Sequence, residues 1–267
     1  MTVRFAISSS DGTKLAYERF GDGPPVVLTG GALTNRTAAV PLARELAGLG
    51  LSGVVYDRRG RGDSGDTEPY APVREADDLA AVAEAVREEA GAEQVFSFGM
   101  SSGGLVVLEA AARGAALSRI VLFEPPFTGA AGQFQDPVRV ARLTELISQG
   151  ERSEAVAYFM AEIIGLPPQA VEGARQSPGW ADMTKIAHTL GYDTTLLGDA
   201  TLPAETLAAV RIPALVLSSD ASTPVLQEAA RATGEALPSG THRSLPGVFH
   251  QVPPEDLAPV VRDFFTG

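Results

Sequence analysis

The sequence predicts an α/β protein built on one mostly parallel, doubly wound sheet of about eight strands. In the first half of the chain, short runs rich in Val, Ile, Leu and Phe alternate with segments whose apolar residues recur at helical spacing. That alternation is typical of a parallel sheet with helices on both faces. From about residue 127 to residue 200 only helical patterns occur, before a strand pattern returns near Ile212. We therefore expect a core at 1–126 and 201–267 and a helical cap inserted at 127–200.

The elements are predicted in order from these patterns. Two strands, Val3 to Ser8 and Lys14 to Phe20, are joined by Asp11-Gly12, a strong hairpin signal. The other strands are apolar runs bounded by turn residues, expected at 24–29, 53–57, 94–99, 118–123, 212–217 and 241–245. The helices are segments of 3.6-residue period, expected at 37–49, 73–90, 104–114, 138–148, 153–164, 180–190, 224–236 and 255–265.

Composition excludes several classes of function. The chain of 267 residues is 45% hydrophobic, and its net charge of -12 argues against a nucleic-acid surface. It has 0 cysteines, hence no disulfide framework, and its first residues lack the apolar region of a signal peptide. No apolar stretch approaches membrane-spanning length. We expect a cytoplasmic protein that acts on a small molecule, with no metal and no cofactor, and the oligomeric state stays open.

A strand, a sharp turn and a helix are predicted to meet at Ser101. The stretch 94–114 breaks at Gly99 and restarts after Gly103, so Ser101 has a glycine two residues to either side. In the pattern G-x-S-x-G the glycines make room for a strained turn that lifts the serine hydroxyl above the sheet edge. The amide of Ser102 then begins a helix N-terminus, where unpaired N–H groups favour negative charge. Ser101 is the candidate nucleophile.

Four landmarks follow successive predicted strands. They are Gly30-Gly31 after the third strand, Asp57-Arg-Arg-Gly-Arg-Gly-Asp-Ser-Gly65 after the fourth, Gly99-Met-Ser-Ser-Gly103 after the fifth, and Pro246-Gly-Val-Phe-His250 before the last helix. With these landmarks the chain resembles the α/β-hydrolase fold superfamily over nearly its whole length. The resemblance implies a nucleophile, an acid and a histidine in that chain order, with the substrate selected by the cap.

The histidine is predicted at position 250. The chain has 3 histidines, of which His188 falls in the predicted cap and His242 inside a strand. His250 follows a strand through a short loop, at the carboxyl edge of the sheet, where open α/β folds place their sites. An imidazole there can take a proton from Ser101 and return it near neutral pH.

The acid departs from the commonest pattern of the superfamily. Members usually carry Asp after the seventh strand, at a position that Ser222 occupies here, and a serine cannot supply the charge that stabilises an imidazolium. Some members, certain haloalkane dehalogenases among them, carry the acid after the sixth strand, where this chain has Glu124. A carboxylate there is costly unless paired, and histidine would be its partner. We favour Glu124, with Asp220 on the seventh-strand loop as the alternative.

The resemblance also implies two backbone donors for an oxyanion. One is the amide of Ser102, and the other comes from the turn after the third strand, which we assign to Ala32 with Gly31 beside it. The candidate substrate contacts are Gly31 and the aromatic residues Phe127 and Trp180, and other aromatic residues of the predicted cap, such as Phe134, could shape the substrate cavity.

Asp57 and Arg59 form a further pattern of charges, in the glycine-rich loop after the fourth strand. Such a pair could serve catalysis. We interpret it instead as a salt bridge that stabilises the turn.

Three functions fit the predicted site. The first is a serine hydrolase that cleaves an ester, thioester or lactone through an acyl-enzyme, in the manner of a carboxylesterase. The second is a cofactor-free lyase, C–C hydrolase or other tailoring enzyme in which Ser101 and His250 move protons without a lasting acyl-enzyme. The third is a non-catalytic small-molecule binder, conceivable because the usual aspartate is missing.

Overall fold

A computed structural model describes residues 3–8, 11–131 and 136–267, so Phe134 of the predicted cap lies outside the described residues. The strands are β1 (Val3–Ser8), β2 (Lys14–Phe20), β3 (Pro25–Thr29), β4 (Ser52–Tyr56), β5 (Phe96–Met100), β6 (Arg119–Phe123), β7 (Ala214–Ala221) and β8 (Gly240–Val248). Within the described residues they form one eight-stranded sheet in the order β1-β2-β4-β3-β5-β6-β7-β8. Strand β2 runs antiparallel to β1 and β4, and the remaining pairs are parallel. The predicted sheet is confirmed.

The helices over the described residues differ from the prediction in detail. They are α1 (Val40–Gly48), α2 (Pro72–Ala90), α3 (Ser102–Ala112), α4 (Pro137–Ser148), α5 (Arg152–Tyr158), α6 (Pro168–Arg175), α7 (Trp180–Lys185), α8 (Leu190–Leu197), α9 (Ala204–Ala209), α10 (Pro224–Ala236) and α11 (Pro254–Thr266). The segment predicted at 153–164 is α5 followed by a π-helical turn, Phe159–Ile164, that ends at Gly165. Helices α6, α8 and α9 do not correspond to predicted segments. For α6, the prediction treats Pro167-Pro168 as a break, whereas proline is well tolerated in the first turn of a helix.

Two apolar layers sandwich the sheet. Helices α2, α3, α9 and α10 cover one face, and α1 and α11 cover the other. Helices α4 to α9 lie in the chain between β6 and β7. Of these, α4 to α8 fall in the segment 127–200, and we call them the inserted helices. Across the described ranges, no helix combines the length and the apolar character needed to cross a bilayer. Because β3, β5, β6 and β7 are parallel neighbours, their carboxyl ends lie side by side at one edge of the sheet.

The loop after β4 carries buried charge, and its pairing differs from the prediction. Arg59 does not pair with Asp57. The Asp57 carboxylate accepts hydrogen bonds from the Arg36 amide, at 2.7 Å, and from the Arg36 guanidinium. The Arg59 guanidinium instead binds Asp78 of α2, at 2.8 and 2.9 Å, and Asp11 at 3.0 Å. The spacing of Asp57 and Arg59 in the sequence indicated a local pair, but both side chains find partners on other elements.

Neutralising Asp78 tests how much this buried pairing stabilises the fold. The side chains of Arg59 and Asp78 are 0% and 1% exposed, so Asp78→Asn leaves a buried guanidinium with only Asp11 as its charged partner. We expect a loss of about 3 kcal/mol in the free energy of unfolding, measured by urea denaturation. The matched control is Asp77→Asn, whose carboxylate lies 3.4 Å from Arg113 in a largely exposed pair and should cost at most about 1 kcal/mol. Equal losses in both variants would contradict this account.

Candidate active site

Ser101 occupies a strained turn between β5 and α3. Its backbone has φ 53° and ψ -126°, and its amide donates to the Phe123 carbonyl at 2.9 Å. The flanking glycines are needed for close backbone approach. A Cβ on Gly103 would lie 2.3 Å from the Thr29 carbonyl oxygen, and a Cβ on Gly99 would lie 2.6 Å from that of Gly103. The turn therefore has the geometry that the G-x-S-x-G pattern indicates.

Glu124 lies immediately after β6, with its side chain 0% exposed. Both carboxylate oxygens are fully engaged. Oε1 accepts hydrogen bonds from the Ser219 amide at 2.8 Å and from the Ser222 hydroxyl, and Oε2 accepts one from the His250 amide at 2.8 Å. Burial favours the neutral acid, but hydrogen bonds from His250, Ser222 and the Ser219 amide outweigh it, so the pKa of Glu124 lies below its usual value. Glu124 is held as an anion.

The imidazole of His250 lies against this anion. Nδ1 is 2.6 Å from Oε2 of Glu124, although the N–H direction departs from the line that joins the two atoms. This contact orients the ring so that Nε2 is the nitrogen left for a substrate or a nucleophile. Within the described residues, Ser101 Oγ makes no hydrogen bond, to His250 or to any other group. Catalytic hydrogen bonds in ligand-free enzymes are often long and tighten only when substrate binds.

Backbone strain is concentrated at this edge of the sheet. Among the described residues, positive φ outside glycine occurs at Leu33, Ser101, Glu124, Ala200 and His250, with φ between 49° and 57°. Three of these are the candidate nucleophile, acid and histidine. Such conformations persist only where the surrounding structure imposes them, and they cluster at functional sites.

The turn after β3 packs directly on Ser101, the candidate nucleophile. A Cβ on Gly31 would lie 3.0 Å from Ser101 Cβ, so glycine lets this backbone approach the serine. The Gly31 carbonyl accepts a hydrogen bond from Arg61 at 2.5 Å. Across the described residues, neither the amide of Ala32 nor that of Ser102 donates a hydrogen bond. The two amides that the sequence suggested as oxyanion donors are thus available near Ser101.

Other predicted residues lie elsewhere. The Asp220 side chain is exposed and accepts a hydrogen bond from the Gly247 amide at 3.1 Å, away from the His250 ring contact that Glu124 makes. Phe127 is buried in the core on the α2 and α3 face. Trp180 donates to Ser153 Oγ at 3.2 Å and stacks under Arg175, within the inserted helices. An apolar cavity lies beside His250, and neither Phe127 nor Trp180 lines it.

That cavity encloses about 160 Å³ on the α1 and α11 face of the sheet. His250 and Gly30 border it, and its wall is otherwise mainly apolar, with Leu28, Leu42, Phe98, Met100, Phe123 and Leu257 among the lining residues. An apolar group of a substrate held near His250 could enter it.

Two features at this edge escaped sequence reasoning. Ser222, noted in the sequence only as a missing acid, donates its hydroxyl to Glu124. Asp193 of α8 is buried between Arg58 and Arg61, with its oxygens 2.8 to 3.0 Å from their guanidiniums. The signal in the sequence was the density of arginines after β4, since buried guanidiniums require acidic partners. Which acid would pair with them could not be deduced, because Asp193 lies more than a hundred residues further along the chain.

Comparisons with known proteins agree with this architecture. The family model described as serine aminopeptidase, S33, matches residues 25–256. The structure of an α/β-hydrolase from Sphaerobacter thermophilus is 43% identical in sequence, with a TM-score of 0.90, over 98% of this chain and 100% of that one.

Two more distant structures share the fold. An esterase from Thermogutta terrifontis is 22% identical with a TM-score of 0.73, covering 98% of both chains. An enol-lactonase from Burkholderia xenovorans is 19% identical with a TM-score of 0.68, covering 98% of this chain and 100% of its own. With a family model spanning most of the chain and the strand order described above, the protein belongs to the S33 family of α/β-hydrolases.

Proposed function

We propose that this hydrolase cleaves small-molecule esters, thioesters or lactones through an acyl-enzyme formed on Ser101. The observation that carries the proposal is the 2.6 Å contact between Oε2 of the buried Glu124 and Nδ1 of His250, at the same strand edge as the Ser101 turn. A charged acid against Nδ1 keeps the imidazole in the tautomer that can accept a proton at Nε2. Acid, base and nucleophile are then available for acyl transfer.

In the first half of the reaction, Ser101 Oγ attacks the substrate carbonyl carbon while its proton moves to Nε2 of His250. The carbonyl oxygen becomes an oxyanion that accepts hydrogen bonds from the amides of Ala32 and Ser102. When the tetrahedral intermediate collapses, the bond to the leaving alcohol breaks and Nε2 returns the proton to the alcohol. Glu124 stabilises the transient imidazolium by its charge and stays ionised throughout.

In the second half, water attacks the acyl carbon and gives its proton to His250 Nε2. The same two amides receive the second oxyanion, and collapse releases the carboxylic acid while Ser101 Oγ regains its proton. In this proposal the segment 127–200 acts as a cap on the core formed by 1–126 and 201–267, with α8 reaching the strand edge.

An ester fits this site better than a peptide with a free amino terminus. An aminopeptidase needs a negative group to bind the substrate ammonium, but the carboxylates buried at this edge are already paired. Glu124 contacts His250, Glu75 is bound to Arg58, and Asp193 is bound to both Arg58 and Arg61. The cavity beside His250 is mainly apolar, which suits a small hydrocarbon group. The esterase and the lactonase named above are too distant in sequence to support more than the fold.

A fluorophosphonate probe tests the proposed nucleophile. We expect covalent labelling of the wild type at Ser101 by mass spectrometry, and no labelling of Ser101→Ala, because the probe reacts with an activated serine hydroxyl. Hydrolysis of p-nitrophenyl acetate should be lost in the same variant. Labelling without ester turnover would favour the lyase-type chemistry, and a wild type that is not labelled at all would contradict the serine mechanism.

Separate amide substitutions test the choice of acid. Glu124→Gln removes the charge that faces Nδ1, and we expect kcat/KM to fall by about 10²- to 10⁴-fold at neutral pH. The matched variant Asp220→Asn neutralises an exposed carboxylate on the neighbouring loop and should retain activity within about threefold, since surface charges contribute little. A large loss in Asp220→Asn together with full activity in Glu124→Gln would overturn the assignment.

The volume of the cavity beside His250 predicts a preference for small groups. A cavity of about this size can take a ring such as benzene, so short acyl or alkyl chains should fit. Ala39 lines it, and Ala39→Leu should lower the ratio of kcat/KM for butyrate to that for acetate roughly tenfold. Ala208→Leu, at an exposed position of α9, is the control. An unchanged ratio in Ala39→Leu would mean that the substrate does not use this cavity.

A further inference from the structure

A carboxylate from the inserted helices lies at the edge of the sheet that carries Ser101, Glu124 and His250. Asp193 of α8 is 4% exposed. Besides the two guanidiniums of Arg58 and Arg61, it accepts a hydrogen bond from Ser102 Oγ at 2.7 Å. Burial favours its neutral form, but Arg61 and Arg58 outweigh this and hold the pKa of Asp193 below its usual value. Asp193 is therefore a buried anion that accepts four hydrogen bonds, three from guanidiniums and one from the Ser102 hydroxyl.

The two arginines continue from Asp193 to the turn after β3. Arg61 donates to the Gly31 carbonyl at 2.5 Å and Arg58 to the Gly30 carbonyl at 3.3 Å. The Gly31 carbonyl and the Ala32 amide belong to one peptide unit. Because a trans peptide is planar, with its C=O and N–H on opposite sides, an arginine that fixes the carbonyl also fixes the direction of the N–H. A guanidinium on the carbonyl additionally polarises the unit and strengthens the N–H as a donor.

The same carboxylate reaches the second donor. Ser102 supplies the other oxyanion amide, and its hydroxyl is held between Asp193 and Arg58, at 2.7 and 3.1 Å. Both donors therefore depend on one buried cluster that contains a single residue from the inserted helices. Without Asp193, Arg58 would retain Glu75, whereas Arg61 would lose the only carboxylate with which it forms an ion pair in the described chain.

We propose that Asp193 is a positioning residue for the oxyanion hole, so that the seating of α8 on the core sets the alignment of the Ala32 and Ser102 amides. This inference rests on the proposed serine mechanism, in which those amides bind the oxyanion. Asp193 touches no reacting atom. Its effect passes through Arg61 and Ser102, and it makes the inserted helices part of the catalytic apparatus as well as a cover for the substrate.

The variant Asp193→Asn tests this role. Since the loss of one oxyanion donor lowers kcat by about 10²- to 10³-fold, misaligned donors should lower kcat for p-nitrophenyl acetate by about 30- to 300-fold, with KM changed less than about threefold. The rate of labelling by the fluorophosphonate should fall by a similar factor. The control is Thr195→Ala on the same helix. It removes the hydroxyl of an exposed residue, which donates to the Gly191 carbonyl at 2.7 Å within α8, so the contacts of the helix with the core stay in place. It should keep wild-type kcat.

The outcomes separate the two proposals. If the wild type is labelled at Ser101 and a folded Asp193→Asn keeps wild-type kcat, or changes KM alone, the positioning role is wrong while the serine mechanism stands. If the wild type is not labelled, the serine mechanism fails and this inference fails with it.

Circular dichroism and thermal melting establish whether each variant is folded. Should Asp193→Asn not fold, the variant Arg61→Lys provides the test instead. The lysine ammonium keeps the positive charge but cannot bind both the Asp193 carboxylate and the Gly31 carbonyl as the planar guanidinium does. A wild-type kcat in Arg61→Lys would also overturn the role.

Discussion

The need to pair charge that is buried at the ends of parallel strands governs this structure. Glu124 is completely buried after β6, and its two oxygens bind groups from the end of β7, from the loop after it and from the loop after β8. An unpaired carboxylate there would be costly. The same contacts that stabilise it therefore bring His250 to the strand edge, and the sheet register brings β5 with Ser101 beside β6. The position of the candidate site follows from that pairing.

Strain and charge support each other at this edge. Ser101, Glu124 and His250 all have left-handed backbone angles, each of which costs on the order of 1–3 kcal/mol. The cost is offset by dense hydrogen bonding and by the apolar layers beneath. A second buried cluster, of Asp193, Arg58 and Arg61, connects the inserted helices to the turn beside Ser101. In the proposed mechanism one cluster prepares the base and the other the oxyanion donors.

The fold could be predicted largely from the sequence, because strand and helix periods alternate clearly and the glycines around Ser101 leave few turn geometries. The preference for Glu124 over Asp220 rests on the resemblance to members that carry the acid after the sixth strand and on the cost of burying a carboxylate, and the contact with His250 supports it. The role of Ser222 as a donor, the partners of Asp57 and Arg59, and the burial of Asp193 could not be predicted. Each depends on a contact between side chains that are distant in sequence. Periodicity reports which face of an element is buried and carries no information on which distant partner it meets.

A crystal structure of the protein after reaction with a small alkyl phosphonate would test the central claim most directly. The account predicts phosphorus bonded to Ser101 Oγ, with one phosphonyl oxygen about 3 Å from the amides of both Ala32 and Ser102. His250 should retain its contact with Glu124. A phosphonyl oxygen that faces solvent, or an adduct on another residue, would contradict the account.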